Sequence, residues 1–148
     1  MTKLFFRLIV RYFSRWLPTD HFADFFPVSV KGLLLEDGKL LLLKNERGEW
    51  DLPGGKIVKN GNLKGTLVRE IKEETNLNIT VKGFVLADLF KVLKSEVFIT
   101  IFSVESMDND PILISKEHVS YDLFALNEIK ELNTSIWVKE AISLINVN

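Results

Sequence analysis

From Pro27 onward the spacing of apolar side chains changes period several times, and each change predicts an element. Val28-Ser29-Val30 runs into Gly32-Leu33-Leu34-Leu35 and reads as a strand. Glu36-Asp37-Gly38 is a hairpin turn, and Lys39 to Leu43 returns as a second, fully buried strand. Lys44 closes that strand, and Arg47-Gly48 form another turn. The period then becomes helical. At about 100° per residue, Leu67, Val68 and Ile71 fall on one arc of a helix that Asn62 can cap at its start and Asn76 at its end. Asn60-Gly61 precedes it as a turn. Ile79 to Phe90 reads as a strand or two, with Gly83 a candidate bulge, and Val97 to Val104 is strongly β-prone. Met107 to Pro111 is a loop, Ile112 to Ile114 a short strand and Tyr121 to Phe124 another. Helices are expected from about Asn127 and from Ser135, the last amphipathic through Ile136, Val138, Ala141, Ile142 and Leu144. The whole predicts an α/β fold, a mixed sheet covered by helices.

Residues 1–17 stand apart from this pattern. Lys3, Arg7, Arg11 and Arg15 recur every four residues among Phe5, Phe6, Leu8, Ile9, Tyr12, Phe13, Trp16 and Leu17, and no acid precedes Asp20. The spacing predicts a basic amphipathic helix ended by Pro18. Arg7 and Arg11 interrupt the apolar centre that a secretory signal needs. Two readings remain open: peripheral contact with an anionic membrane surface, or packing on this domain or on a second subunit as a homodimer. The chain is thus divided into residues 1–26, this helix and a connector containing His21, and a domain over 27–148.

Composition narrows the chemistry. The 148 residues are 47% hydrophobic, enough for one substantial core. A net charge of −1 gives no global basic field, so a nucleic-acid partner is not expected. Setting the four N-terminal bases aside leaves 15 bases against 20 acids, a balance of −5 for residues 18–148. The absence of cysteine excludes disulfides, thiolate metal sites and thiol nucleophiles, and fits a reducing compartment such as the cytoplasm. Two histidines, His21 and His118, make a multi-histidine metal site within one chain improbable on count alone. No apolar run reaches the roughly 20 residues of a spanning helix.

The strongest chemical signal lies on the central helix. Glu70, Glu73 and Glu74 fall within one arc of roughly 100°, beside the apolar arc. Carboxylates at that spacing repel by a few tenths of a kcal/mol per pair, a cost a divalent cation would offset, and hard oxygen donors suit magnesium, manganese or calcium. The bland reading is a solvated acidic face with Arg69 and Glu73 as an ordinary surface pair. Upstream, Trp50-Asp51-Leu52-Pro53-Gly54-Gly55 offers a tight turn beside backbone free of side chains, suited to close approach of a phosphate or metal.

These residues resemble the Nudix box: Gly, five residues, Glu, seven residues, Arg-Glu, an aliphatic, one residue, Glu-Glu, one residue, Gly, an aliphatic. Gly55, Arg69, Glu70, Ile71, Glu73, Glu74 and Leu77 match. Gly61 stands where the signature has Glu, and Asn76 where it has Gly. Asn76 can adopt the backbone angles required, whereas Gly61 lacks a carboxylate near the helix start, a loss that typically weakens metal affinity or activity by about 10–100-fold.

The resemblance implies an α/β/α sandwich with the box as loop-helix-loop. It implies Mg2+ or Mn2+ held by Glu70, Glu73, Glu74 and the Gly54 carbonyl. It also implies Glu70 as ligand or base, Arg69 orienting the carboxylates, and Lys44, Gly55 and Glu117 near the substrate. Glu117 precedes the late strand, where the family often places a further carboxylate, and His118 adjoins it. The expected reaction is metal-dependent hydrolysis of a nucleoside diphosphate linked to another moiety. The competing readings are a catalytically weakened Nudix-fold ligand-binding or sensing protein, which Gly61 favours, and hydrolysis of a non-nucleotide diphosphate.

Overall fold

The computed structural model describes residues 26–58 and 60–145. The expected helix over 1–17 and His21 lie outside the described residues. Seven strands form one mixed sheet: β1 (Val28–Glu36), β2 (Lys39–Lys44), β3 (Trp50–Asp51), β4 (Gly54–Lys56), β5 (Ile79–Val92), β6 (Ser95–Ser106) and β7 (Ser120–Ala125). Among the described residues two α-helices accompany them, α1 (Leu63–Thr75) and α2 (Ile136–Ile145).

β1 is the hub. It runs parallel to β6 from Val28↔Phe98 to Leu34↔Val104, pairs antiparallel with β4 through residues 29–31, and meets β2 at residues 35–36. The β1–β2 connection is a two-residue turn. Asp37 and Gly38 both have positive φ, 50° and 76°, the conformation for which Asp-Gly is favoured. β7 pairs with β2 along its length, and β5 with β6, with register shifts at Val81/Gly83 and Phe84/Leu86. The expected bulge at Gly83 is therefore present, within one long strand rather than two.

The alternation of strand side chains creates two cores. Leu33, Leu40, Leu42, Ile99 and Ile101 face Val138, Ala141 and Ile142 of α2. Val30, Leu34, Leu41, Phe102 and Val104 face Leu67 and Ile71 of α1. A strand buried on both faces has no polar side to show, which is why β2 reads as an unbroken leucine run. Each fully buried leucine or isoleucine contributes about 1.5–3 kcal/mol. The architecture is the α/β/α sandwich expected.

Three local expectations change. Ile112–Ile114 is an extended loop, not a strand. Leu113 N–H and Ser115 N–H donate to the carbonyls of Thr75 and Glu74, each at 3.0 Å, satisfying the end of α1 instead of pairing with a strand. The helix expected near Asn127 is one 3-10 turn, Ile129–Glu131. On α1 the buried stripe is Leu67, Ile71 and Glu74, while Val68 is exposed.

Candidate active site

The site is built where α1 crosses the turn between β3 and β4. Asn62 caps α1, its side chain accepting from Gly65 N–H at 2.7 Å. Asn76 ends the helix in the left-handed conformation, φ 65°, and its N–H returns to the Lys72 carbonyl. Gly32 on β1 lets the helix lie close: a Cβ there would stand 2.5 Å from Ile71 Cδ1. Gly54 has φ +132°, and a Cβ there would meet the Val30 carbonyl oxygen. A Cβ on Gly55 would fall on the Glu70 carboxylate. The bare Gly54-Gly55 backbone is thus what allows an acidic helix face to approach a strand.

The three glutamates occupy different surroundings. Glu74 is buried. Its Oε2 accepts from Gly54 N–H at 2.7 Å, and its Oε1 meets His118 Nε2 at 2.9 Å. Glu70 is mostly covered and rests against Gly55. Its Oε1 accepts from Arg69 Nη2 at 2.6 Å. Glu73 is exposed and takes the other arm of Arg69, 3.1 and 3.2 Å from Nη1. The hydrogen bond to Glu73, then the charge of Glu70, hold the Arg69 guanidinium above its ordinary value.

Among the described residues, no three acid or histidine side chains converge as a ready ligand set. The donor chemistry nonetheless fits a hard divalent cation: carboxylate oxygens on one helix face, beside a peptide from which a Cβ would displace Glu70. Arg69 bridges two of those carboxylates, meeting Glu70 through Nη2 and Glu73 through Nη1.

Sequence reasoning did not single out Lys31, Asp51 or Trp137. Lys31 projects from β1, and its ammonium lies 2.9 Å from Asp51 Oδ2, 3.1 Å from the Leu52 carbonyl and 3.4 Å from the Gly54 carbonyl. Burial lowers its pKa, but Asp51, by charge and hydrogen bond, and the charges of Glu74 and Glu70 outweigh that and leave it raised. Asp51 Oδ1 accepts from Trp137 Nε1 at 2.7 Å. The visible signal was a lysine between Val30 and Gly32, ahead of the apolar run Leu33 to Leu35 of the same strand.

Asp51 and Trp137 line a cleft of about 570 Å3 whose walls include Arg47, Lys91, Leu93 and Thr134. Backbone bonds from Trp50 N–H to the Asn133 carbonyl and from Ser135 N–H to the Trp50 carbonyl stitch the loop before α2 to β3. Lys44 places its ammonium over the Trp50 ring, 5.4 Å from the centroid. Glu117 is exposed, its backbone N–H directed to Ser115 Oγ at 3.4 Å, and it is the neighbouring His118 that reaches the helix.

Residues 26–144 match the model of the NUDIX domain. The chain belongs to the Nudix family. An ADP-ribose pyrophosphatase of Methanocaldococcus jannaschii is 40% identical over 60 residues, covering 38% of this chain and 36% of that protein, so the match spans about a third of that relative. Among solved structures, a MutT protein from Methanosarcina mazei Go1 superposes with a TM-score of 0.74 at 24% identity, covering 82% of this chain and 94% of that one. A MutT NUDIX hydrolase from Burkholderia pseudomallei gives 0.75 at 19% identity, covering 82% and 99%. These two likenesses show the Nudix fold.

Proposed function

We propose that this Nudix chain is a pyrophosphohydrolase that cleaves the phosphoric anhydride of a nucleoside diphosphate linked to another moiety. The observation that carries this reading is the docking of Glu70 and Glu74 against the Gly54-Gly55 peptide. Glu70, Glu73, Glu74 and the Gly54 carbonyl would hold Mg2+ or Mn2+. The bound ion would neutralise phosphoryl oxygens and lower the pKa of water. Glu70 would ligate the ion or take a proton from the attacking water, Arg69 would orient Glu70 and Glu73, and Gly55 would leave room at the phosphates. Lys44 and Glu117 would contact the substrate, while the Asp51–Trp137 cleft would receive its organic end.

ADP-ribose heads the substrate panel because the relative from M. jannaschii is named for it. Other sugar nucleotides, nucleoside triphosphates and a non-nucleotide diphosphate complete the panel, each with Mg2+ or Mn2+. Cleavage of one or more nucleotides by the wild type, abolished or strongly reduced in Glu70→Gln, is the expected result. A Glu70→Gln protein that matches the wild type on every substrate would overturn the assignment. The second reading, ligand binding with weakened catalysis, draws on Gly61 and on the separate surroundings of the three carboxylates. Saturable binding of panel compounds without turnover would favour it.

Among the described residues no helix is long and apolar enough to cross a membrane. The proposed setting is the cytoplasm, with the basic stripe of residues 1–17 touching an anionic membrane surface or a second copy of the chain. Flotation with anionic vesicles at low salt tests the membrane reading, and a protein that stays at the bottom of the gradient counts against it.

A further inference from the structure

We propose that Lys31 is a positioning residue of the reaction centre: from within the sheet its ammonium fixes the Gly54 carbonyl against the acidic face of α1 and ties it to the Asp51–Trp137 wall of the cleft. The proposal rests on the hydrolase reading above. A lysine on a central strand is costly to bury, and an apolar residue would pack there without that cost. Lys31 is 14% exposed, and all three of its protons have acceptors, in Asp51, Leu52 and Gly54. Two of those acceptors are backbone carbonyls of one turn, so the ammonium sets the turn's shape as well as pairing with a carboxylate.

Gly54 has no side chain by which the fold can hold it. Besides its pairing with Lys31 in the β1–β4 ladder, its N–H and its carbonyl are each met by a side chain. Glu74 on α1 takes the N–H, and Lys31 on β1 takes the carbonyl. The next residue, Gly55, lies against the Glu70 carboxylate, so the backbone that carries this carbonyl adjoins both glutamates. On its other side, Asp51 shares its carboxylate between Lys31 and the indole of Trp137. One cation therefore joins the cleft wall to the backbone oxygen beside the carboxylates. Removing its charge alone would ease binding of another cation nearby. Loosening the carbonyl opposes that, and the three-acceptor geometry makes positioning the larger effect.

The test uses the full chain and three variants, Lys31→Met, Lys31→Arg and Asp51→Asn. Binding of Mn2+ to the metal-free protein is followed by the electron paramagnetic resonance of free manganese. Turnover is measured on the substrate the panel identifies. Lys31→Met should weaken manganese binding by about 10–100-fold and lower kcat comparably. Its KM should stay within about threefold of wild type, because Lys31 does not itself line the cleft. Lys31→Arg should recover most of both losses. Asp51→Asn, nearly isosteric, should shift manganese binding in the same direction, and it carries the test if Lys31→Met does not fold.

A variant that loses thermal stability but binds manganese as the wild type does would reduce Lys31 to a structural residue and leave the hydrolase reading standing. Tighter manganese binding in Lys31→Met would mean that the ammonium competes with the metal, and would equally overturn the proposal. Failure of Lys31→Arg to improve on Lys31→Met would do so too. A wild type that binds no manganese overturns the metal reading and this proposal with it.

Discussion

Replacing Glu74 by alanine removes a carboxylate that is only 10% exposed and whose two oxygens serve two donors, Gly54 N–H at 2.7 Å and His118 Nε2 at 2.9 Å. Hydrogen bonds to a charged group contribute about 1.5–3 kcal/mol each, and relief from burying the charge offsets part of their loss. The net cost should be about 3 kcal/mol, which for a chain of this size lowers Tm by about 6–12 °C. Glutamine is the informative comparison. Its single oxygen can face Gly54 N–H, but its amide then donates to His118. That forces the ring proton onto Nδ1, which is buried and has no partner among the described residues. With the amide reversed, the NH2 faces the Gly54 N–H. One donor is misplaced in either orientation, at about 1–3 kcal/mol, so Glu74→Gln should fall between wild type and Glu74→Ala. Thermal and urea unfolding in EDTA measure this without any contribution from metal. If Glu74→Ala unfolds within about 0.5 kcal/mol of wild type, a value typical of surface substitutions, Glu74 is not a structural anchor and the argument fails.

Other substitutions probe the same junction. Gly32→Ala brings a methyl to 2.5 Å from Ile71 Cδ1 and should cost about 1–3 kcal/mol, recovered largely by adding Ile71→Val, with urea midpoints as the measurement. Gly54→Ala combines φ +132° with a collision against the Val30 carbonyl and should destabilise by at least about 2 kcal/mol, read as a fall in Tm. The raised pKa of Lys31 carries a pH signature. Its contribution to stability is complete below the ordinary value of 10.5 and is lost as pH rises through the higher folded value. Stability of wild type relative to Lys31→Met should therefore stay constant from pH 7 to 9 and shrink only above 10.5, and a difference that collapses by pH 9 would contradict the buried ion pair.

Local codes carried most of what the sequence revealed. Asp37-Gly38 specified a hairpin, Asn62 and Asn76 specified the two ends of α1, and Gly83 marked a bulge, because each of these depends on a few neighbouring backbone angles. The segment Ile112–Ile114 misled because β-prone residues form a ladder only beside an open edge, and here the acceptors are carbonyls at the end of a helix. Helical periodicity put the three glutamates on one arc of α1, but it could not show that Glu74 points into the protein while Glu73 faces solvent. That difference is set by the turn packed against α1. Lys31, Asp51 and Trp137 are far apart in the chain, and only the sheet register and the docking of α2 bring them together.

The Nudix box is contiguous in sequence, but it is not a portable cassette. Val30, Lys31 and Gly32, three successive residues of β1, meet respectively the back of Gly54, its carbonyl and the flank of Ile71. Those three residues are themselves held in line by parallel pairing with Thr100, Ile101 and Phe102, some seventy positions later. During translation the entire box would leave the ribosome before the strand that steadies its support exists. A peptide cut out at residues 54–77, or grafted onto a foreign loop, would keep every signature residue and lack the surface that aligns them.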